Sequence, residues 1–123
     1  MRKVTENAAY ALKMGATYRN GNTTVSKPLG TSHTTELRLH GNLIARFVNV
    51  GEQPRVELYD AGWTSATTKE RLNGVLQVFN SQWRIYQLQG NWYVTDGMGV
   101  RHEWHGTAII DNADNIITGQ RAA

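Results

Sequence analysis

In His102-Glu103-Trp104-His105 the chain carries two histidines and a carboxylate within four residues, the raw material of a metal or general-base site. The spacing argues against it. A helical zinc motif needs its histidines at i and i+4, and in a strand His102 and His105 face opposite sides and cannot clamp one ion. There is no cysteine, which excludes thiolate sites and disulfides; no metal site and no cofactor are expected. His40, beside Gly41-Asn42, has general-base chemistry, but an imidazole next to a turn is suited to hydrogen-bond exposed backbone groups. No nucleophile elbow, phosphate loop or dinucleotide fingerprint occurs. No catalytic residue is assigned, and the expectation is a protein that is not an enzyme.

Binding chemistry is better represented. Thr67-Thr68-Lys69-Glu70-Arg71 has the form of a helix start, where free N–H groups, the positive dipole end, two hydroxyls, Lys69 and Arg71 would together hold a phosphate or carboxylate. The competing reading is a capping box, with the Thr67 hydroxyl on the N–H of Glu70 and the Glu70 carboxylate returning to Thr67. Residues 1–27 hold Arg2, Lys3, Lys13, Arg19 and Lys27 against Glu6 alone, while the rest of the chain has eight basic and nine acidic groups. The net charge of +3 is thus an N-terminal property, a patch for an acidic partner through Lys3, Lys13 and Arg19, or else a solvated helix face. Trp63, Trp83, Trp92 and Trp104 with Tyr86 and Tyr93 would make a base-stacking platform if they lined an open sheet face near Arg84 and Arg101. Strand parity points Trp83 and Ile85 one way and Arg84 and Tyr86 the other, which puts the tryptophan side in the core.

These residues need elements to hold them. Thr5 to Met14 is rich in helix formers, with Thr5 as N-cap and Gly15 as stop. After Asn20-Gly21-Asn22 the β-branched Thr23-Thr24-Val25-Ser26 reads as a short edge strand. Glu36 to His40 and Leu43 to Val48 read as strands joined by a Gly41-Asn42 hairpin turn, and Arg55 to Tyr59 as the third strand of the meander. From Thr67 a helix follows with Leu72, Val75, Leu76 and Phe79 at i, i+3, i+4 and i+7, a stripe that should pack on Leu37, Leu39, Val56 and Leu58. Trp83 to Gln87 and Trp92 to Val94 form a second hairpin about Gly90-Asn91, with short strands near Val100 to Trp104 and Thr107 to Ile110. The order predicts an α+β fold: a mainly antiparallel β-sheet of meander and hairpins with two α-helices, one packed on the sheet.

The 123 residues are expected to form a single domain, with an N-terminal helix region at 1–20 and a flexible tail at 111–123. With 40% apolar and 19% charged residues the chain is unlike a disordered segment. No apolar run approaches the ~20 residues of a membrane span and no export signal is visible, so no membrane partner is expected.

Several of these stretches together resemble a family of small tailed-bacteriophage proteins. The likeness rests on Asn22-Thr23-x-Val25, on His40-Gly41-Asn42-Leu43-Ile44-Ala45, and on Ala61-Gly62-Trp63-x-x-x-Thr67-Thr68-x-x-Arg71-Leu72-Asn73. It continues in Trp83-x-Ile85-x-Gln87-x-x-Gly90-x-Trp92-Tyr93 and Trp104-x-Gly106, covering residues 20 to 106. The chain departs from the pattern at His105 and in its tail. The resemblance implies a virus-encoded accessory protein acting in the host cytoplasm, and it implies no catalytic residues. The leading expectation is a non-enzymatic protein that binds a host protein or nucleoprotein complex, in the manner of a counter-defence, anti-CRISPR-like inhibitor. The alternatives are a small nucleic-acid-binding domain using the basic N-terminal segment, and a small hydrolase or nuclease using His40, His102 or His105. Self-association is compatible with all three.

Overall fold

Thr5, Ala8, Ala9 and Leu12 recur at i, i+3, i+4 and i+7 and are all buried, so the first helix, α1 (Lys3–Met14), presents a narrow face of mostly small residues to the core. Small side chains allow close approach, and the second helix, α2 (Ala66–Val78), packs directly along it. The computed structural model describes residues 2–119. Between the helices run β1 (Tyr18–Asn20), β2 (Thr23–Ser26), β3 (Thr34–Leu39), β4 (Asn42–Val48) and β5 (Arg55–Tyr59). After α2 come β6 (Arg84–Leu88), β7 (Asn91–Thr95), β8 (Arg101–Glu103), β9 (Thr107–Ile110) and β10 (Ile116–Thr118).

The strands make a seven-stranded sheet in the order β1-β2-β3-β4-β5-β9-β10 and a three-stranded sheet in the order β6-β7-β8. All pairings are antiparallel. The fold is therefore α+β and mainly sheet, as the sequence indicates. Leu72, Val75 and Leu76 are at most 1% exposed and share one core cluster with Leu37, Leu39, Val56 and Leu58, the partners expected for the stripe. Phe79 is only partly buried; it caps the end of α2 and meets Phe47 edge-on at 4.8 Å. Ile85, Trp92 and Val94 join the same cluster from the smaller sheet, and Trp83 joins it from just before β6.

Four local expectations are corrected. Thr5 is not the N-cap of α1, which starts two residues earlier after Arg2; the Thr5 hydroxyl is spent instead on Glu70 and Arg71 across the helix pair. Thr23–Ser26 is not an edge strand, because β1 folds back on it and takes the edge. Both hairpin turns lie one residue earlier than Gly-Asn: Leu39 pairs with Asn42 and Leu88 with Asn91, leaving His40-Gly41 and Gln89-Gly90 as the two-residue loops. All four loop residues have positive φ, as a type I′ turn requires, and glycine takes the second position at no steric cost. Finally, Ile116–Thr118 pairs with β9 where a flexible tail was expected; residues 120–123 of that tail lie outside the described residues. Gly15, in contrast, ends α1 in the left-handed conformation expected of a helix stop, with Ala16 N–H on the Ala11 carbonyl.

Candidate functional site

Asp60 organises the loop between β5 and α2. Its carbonyl accepts from Trp63 N at 2.8 Å, and its carboxylate accepts from Gly62 N at 2.8 Å and, through the other oxygen, from Trp104 Nε1 at 2.9 Å. Ala61 and Gly62 both take positive φ at the corner of this turn. The result is that Trp63 stands out from the fold, 64% exposed, on a braced backbone. Beneath it is a cleft of about 570 Å³ lined by Leu39, His40, Ile44, Asp60, Trp63 and Thr67, among others. A β-bulge after Leu37 leaves Ile44 unpaired in β4, so that both Ile44 and Ala45 are buried and the cleft floor is apolar.

The expected site residues divide sharply. His40 and Thr67 do meet at this cleft, with Thr68 behind them. His40 is exposed at its hairpin tip, its N–H on the Asn22 carbonyl and its Nε2 at 3.2 Å from Asn22 Nδ2, so its contacts are with the neighbouring turn. Lys69 is half-buried on α2. Arg71 is turned away altogether: 3% exposed, it donates to Thr5 Oγ1 at 2.6 Å, Glu70 Oε1 at 2.7 Å and Thr23 Oγ1 at 3.2 Å. Burial, and then the nearby Arg2 charge, lower its pKa. Arg71 is thus a tie between α1, α2 and β2 instead of an anion ligand.

The capping box fails for the same reason. Ser65, not Thr67, is the N-cap of α2, its hydroxyl accepting from Thr68 N at 3.1 Å, and the Glu70 carboxylate is held by Arg2, Thr5 and Arg71. Burial pushes the Glu70 carboxyl up, but hydrogen bonds from Thr5 and Arg2 and the charges of Arg2 and Arg71 outweigh it, and the net shift is downward. Ser65→Ala should cost about 1 kcal/mol of stability, the usual value of an N-cap hydroxyl, whereas Thr67→Ala should stay within about 0.5 kcal/mol. Urea titrations of both variants check this; a larger loss at Thr67 would return the cap to that residue.

The basic N-terminal residues do not converge. Lys3 and Lys13 sit at opposite ends of α1, about 15 Å apart along its axis and about 80° apart around it. Lys13 Nζ reaches the Val78 carbonyl at 3.3 Å and lies 6.0 Å from the Phe79 ring centre, complementing the C-terminal end of α2. Arg19 is exposed on edge strand β1. Arg84 lies on the smaller sheet, its Nη1 donating to the Ser81 carbonyl at 2.8 Å and the Trp83 carbonyl at 2.6 Å. Of the two histidines in and just after β8, His105 Nε2 is 3.9 Å from Glu103, while His102 lies against Trp83 with ring centres 5.5 Å apart. Among the described residues, no three His, Asp or Glu side chains group as metal ligands would.

One charged feature went unread in the sequence. On the sheet face away from the helices, register aligns Glu36, Arg46 and Glu57, and Arg38 and Arg55 close the row from either side. Burial raises the Tyr59 phenol, and the hydrogen bond it donates to Glu57 adds to this, to about 12. Burial likewise pushes Glu57 up, yet its bonds from Tyr59 and Arg55 hold it below the usual carboxylate range. The alternation Arg55-x-Glu57-x-Tyr59 carried this signal. Trp63 was visible too, as an aromatic between turn residues with no apolar periodicity to bury it.

Residues 1–116 match the family model of the Kyanoviridae Gp96 protein. No curated protein and no solved structure matches the chain. The family match agrees with the phage resemblance of residues 20 to 106 and extends it over α1 at one end and to the start of β10 at the other. The chain belongs to the Kyanoviridae Gp96 protein family, a family of phage proteins.

Proposed function

We propose that this protein is a non-enzymatic phage accessory protein that binds a host macromolecule in the cytoplasm of the infected cell, with the Trp63 cleft as its docking surface. The observation that carries this reading is Trp63 itself. A tryptophan 64% exposed on a turn braced by three hydrogen bonds to Asp60 is an anchor presented at low entropic cost. The polar groups around it support binding over catalysis: Asp60 is engaged by Gly62 N and Trp104 Nε1, and His40 by Asn22. A host protein, alone or within a nucleoprotein complex, is the partner that an apolar cleft with one projecting aromatic fits best. Inhibition of a host defence complex, as by an anti-CRISPR-like protein, is the specific role this proposal extends to.

Trp63→Ala tests it. The variant should fold with unchanged stability, because the ring contributes little to the core, and should lose the host partner captured by the unmodified protein from nuclease-treated infected-cell lysate. With the partner purified, its Kd should rise about 30-fold or more, the 2 kcal/mol or greater effect of a hot-spot tryptophan. Equal capture by both proteins would remove Trp63 and its cleft from the function.

A further inference from the structure

The smaller sheet has one buried and one open face. Ile85, Trp92 and Val94 point into the core. On the other side Tyr86 stands opposite Tyr93, and Tyr93 opposite Glu103; one step along, Arg84 stands opposite Thr95, and Thr95 opposite Arg101. The two tyrosine rings lie 5.6 Å apart and 28° from parallel. The Arg101 guanidinium is 4.8 Å above the Tyr93 ring, with Nη1 3.5 Å from the Tyr86 hydroxyl. Among the described residues no helix covers this face, since α2 meets β6 through Asn73, whose side chain bonds the backbone N–H and carbonyl of Ile85. The charged groups on this face are Arg84, whose Nη1 is held by the Ser81 and Trp83 carbonyls while the rest of its guanidinium makes no other hydrogen bond among the described residues, Arg101 and Glu103, and Glu103 has His105 at 3.9 Å.

From this arrangement we propose that the open face of β6, β7 and β8 binds single-stranded nucleic acid. Two neighbouring aromatic rings on adjacent strands give consecutive bases a flat surface to stack on, whatever their sequence. The flanking guanidiniums supply the charge that phosphates need. Arg101 moves from the Tyr93 ring to a phosphate as a base takes its place, exchanging a weak cation–π contact for a charge-assisted hydrogen bond. A duplex is the wrong occupant, because its base faces are hidden. Three strands are about 10 Å across, room for two or three nucleotides, and two phosphate contacts predict weak binding with a shallow salt dependence, a log-log slope of about 1.4 for single strands. This inference does not rest on the Trp63 cleft, which uses a different part of the molecule.

The test is fluorescence anisotropy with a labelled eight-nucleotide oligothymidylate, alone and paired with its complement, at several salt concentrations. The single strand should bind with a slope near 1.4, and the duplex about tenfold more weakly or worse. Tyr86→Ala and Tyr93→Ala should each weaken single-strand binding about tenfold, while Tyr86→Phe and Tyr93→Phe retain it. Arg101→Gln should lower the slope by about 0.7; it leaves the core untouched, so it remains informative if an alanine variant fails to fold. Trp63→Ala should bind like the unmodified protein, and so should a variant neutralised at Lys3, Lys13 and Arg19. Absence of saturable single-strand binding at low salt overturns the proposal. So does binding that survives both alanine substitutions, or a tyrosine face that captures a protein and no oligonucleotide.

Discussion

Leu76→Ala should lower the free energy of unfolding by about 2 to 5 kcal/mol, the range for deleting a large aliphatic group from a packed interior. Leu76 is 1% exposed and lies where α2 meets both the seven-stranded sheet and the rest of the cluster, so there is little freedom for neighbours to collapse into the space left. A urea titration should show a lower midpoint with an unchanged slope. A loss below about 1 kcal/mol would mean that α2 is not the keystone of the core. The contrast with Trp63 is instructive: a larger side chain, removed from the surface, should cost the fold almost nothing and the interaction nearly everything.

That helix was readable from sequence because its stripe is local and long enough to fix a period, and the alternating strands were readable for the same reason. What escaped was set by contacts the sequence does not juxtapose. Thr67 and Glu70 have capping-box spacing, but Ser65 competes for the cap and Glu70 is claimed by Thr5 and Arg2, more than sixty positions away. β1 and β10 are three residues each, too short to show alternation, and both owe their existence to a neighbour already in the sheet. The hairpin turns were displaced by one residue because Gly-Asn and X-Gly are both acceptable loops, and only the pairing register distinguishes them.

The candidate site was legible in part. Strand parity separated the buried tryptophan face of β6 from its tyrosine face, and the structure gives Trp83 and Ile85 6% and 3% exposure, as parity requires. Clustering of charge along the chain proved a poor guide: Lys3, Lys13 and Arg19 are neighbours in sequence terms but occupy two ends of a helix and an edge strand. The pairing of Arg101 with Tyr93 instead comes from a strand register that no local pattern announces.

Arg71 offers the sharpest separation of a structural from a ligand-binding role. Arg71→Met keeps an unbranched side chain but takes the buried partner from the Glu70 carboxylate, leaving it Arg2 and Thr5, and removes the donors to Thr5 and Thr23; it should cost about 3 kcal/mol, the low end for breaking a buried pair because Glu70 is partly exposed and keeps Arg2. Part of that loss belongs to the carboxylate, which keeps only its exposed charged partner, Arg2. Adding Glu70→Gln should therefore recover a measurable part of it, a coupling expected of directly bonded residues. The pH dependence follows from the sign of the Glu70 shift. Its folded pKa lies below the unfolded value of about 4.3, so the ion cluster stabilises fully above that value and the contribution fades as pH falls through the folded pKa. Removing Arg71 takes away one of the charges that hold the folded pKa down, and the acid-side loss of stability should shrink with it. Unfolding titrations at neutral pH and below pH 4 would show the two proteins converging. Equal destabilisation at both pH values, with no rescue by Glu70→Gln, would mean that Arg71 acts by packing alone and that the charge of the cluster is incidental.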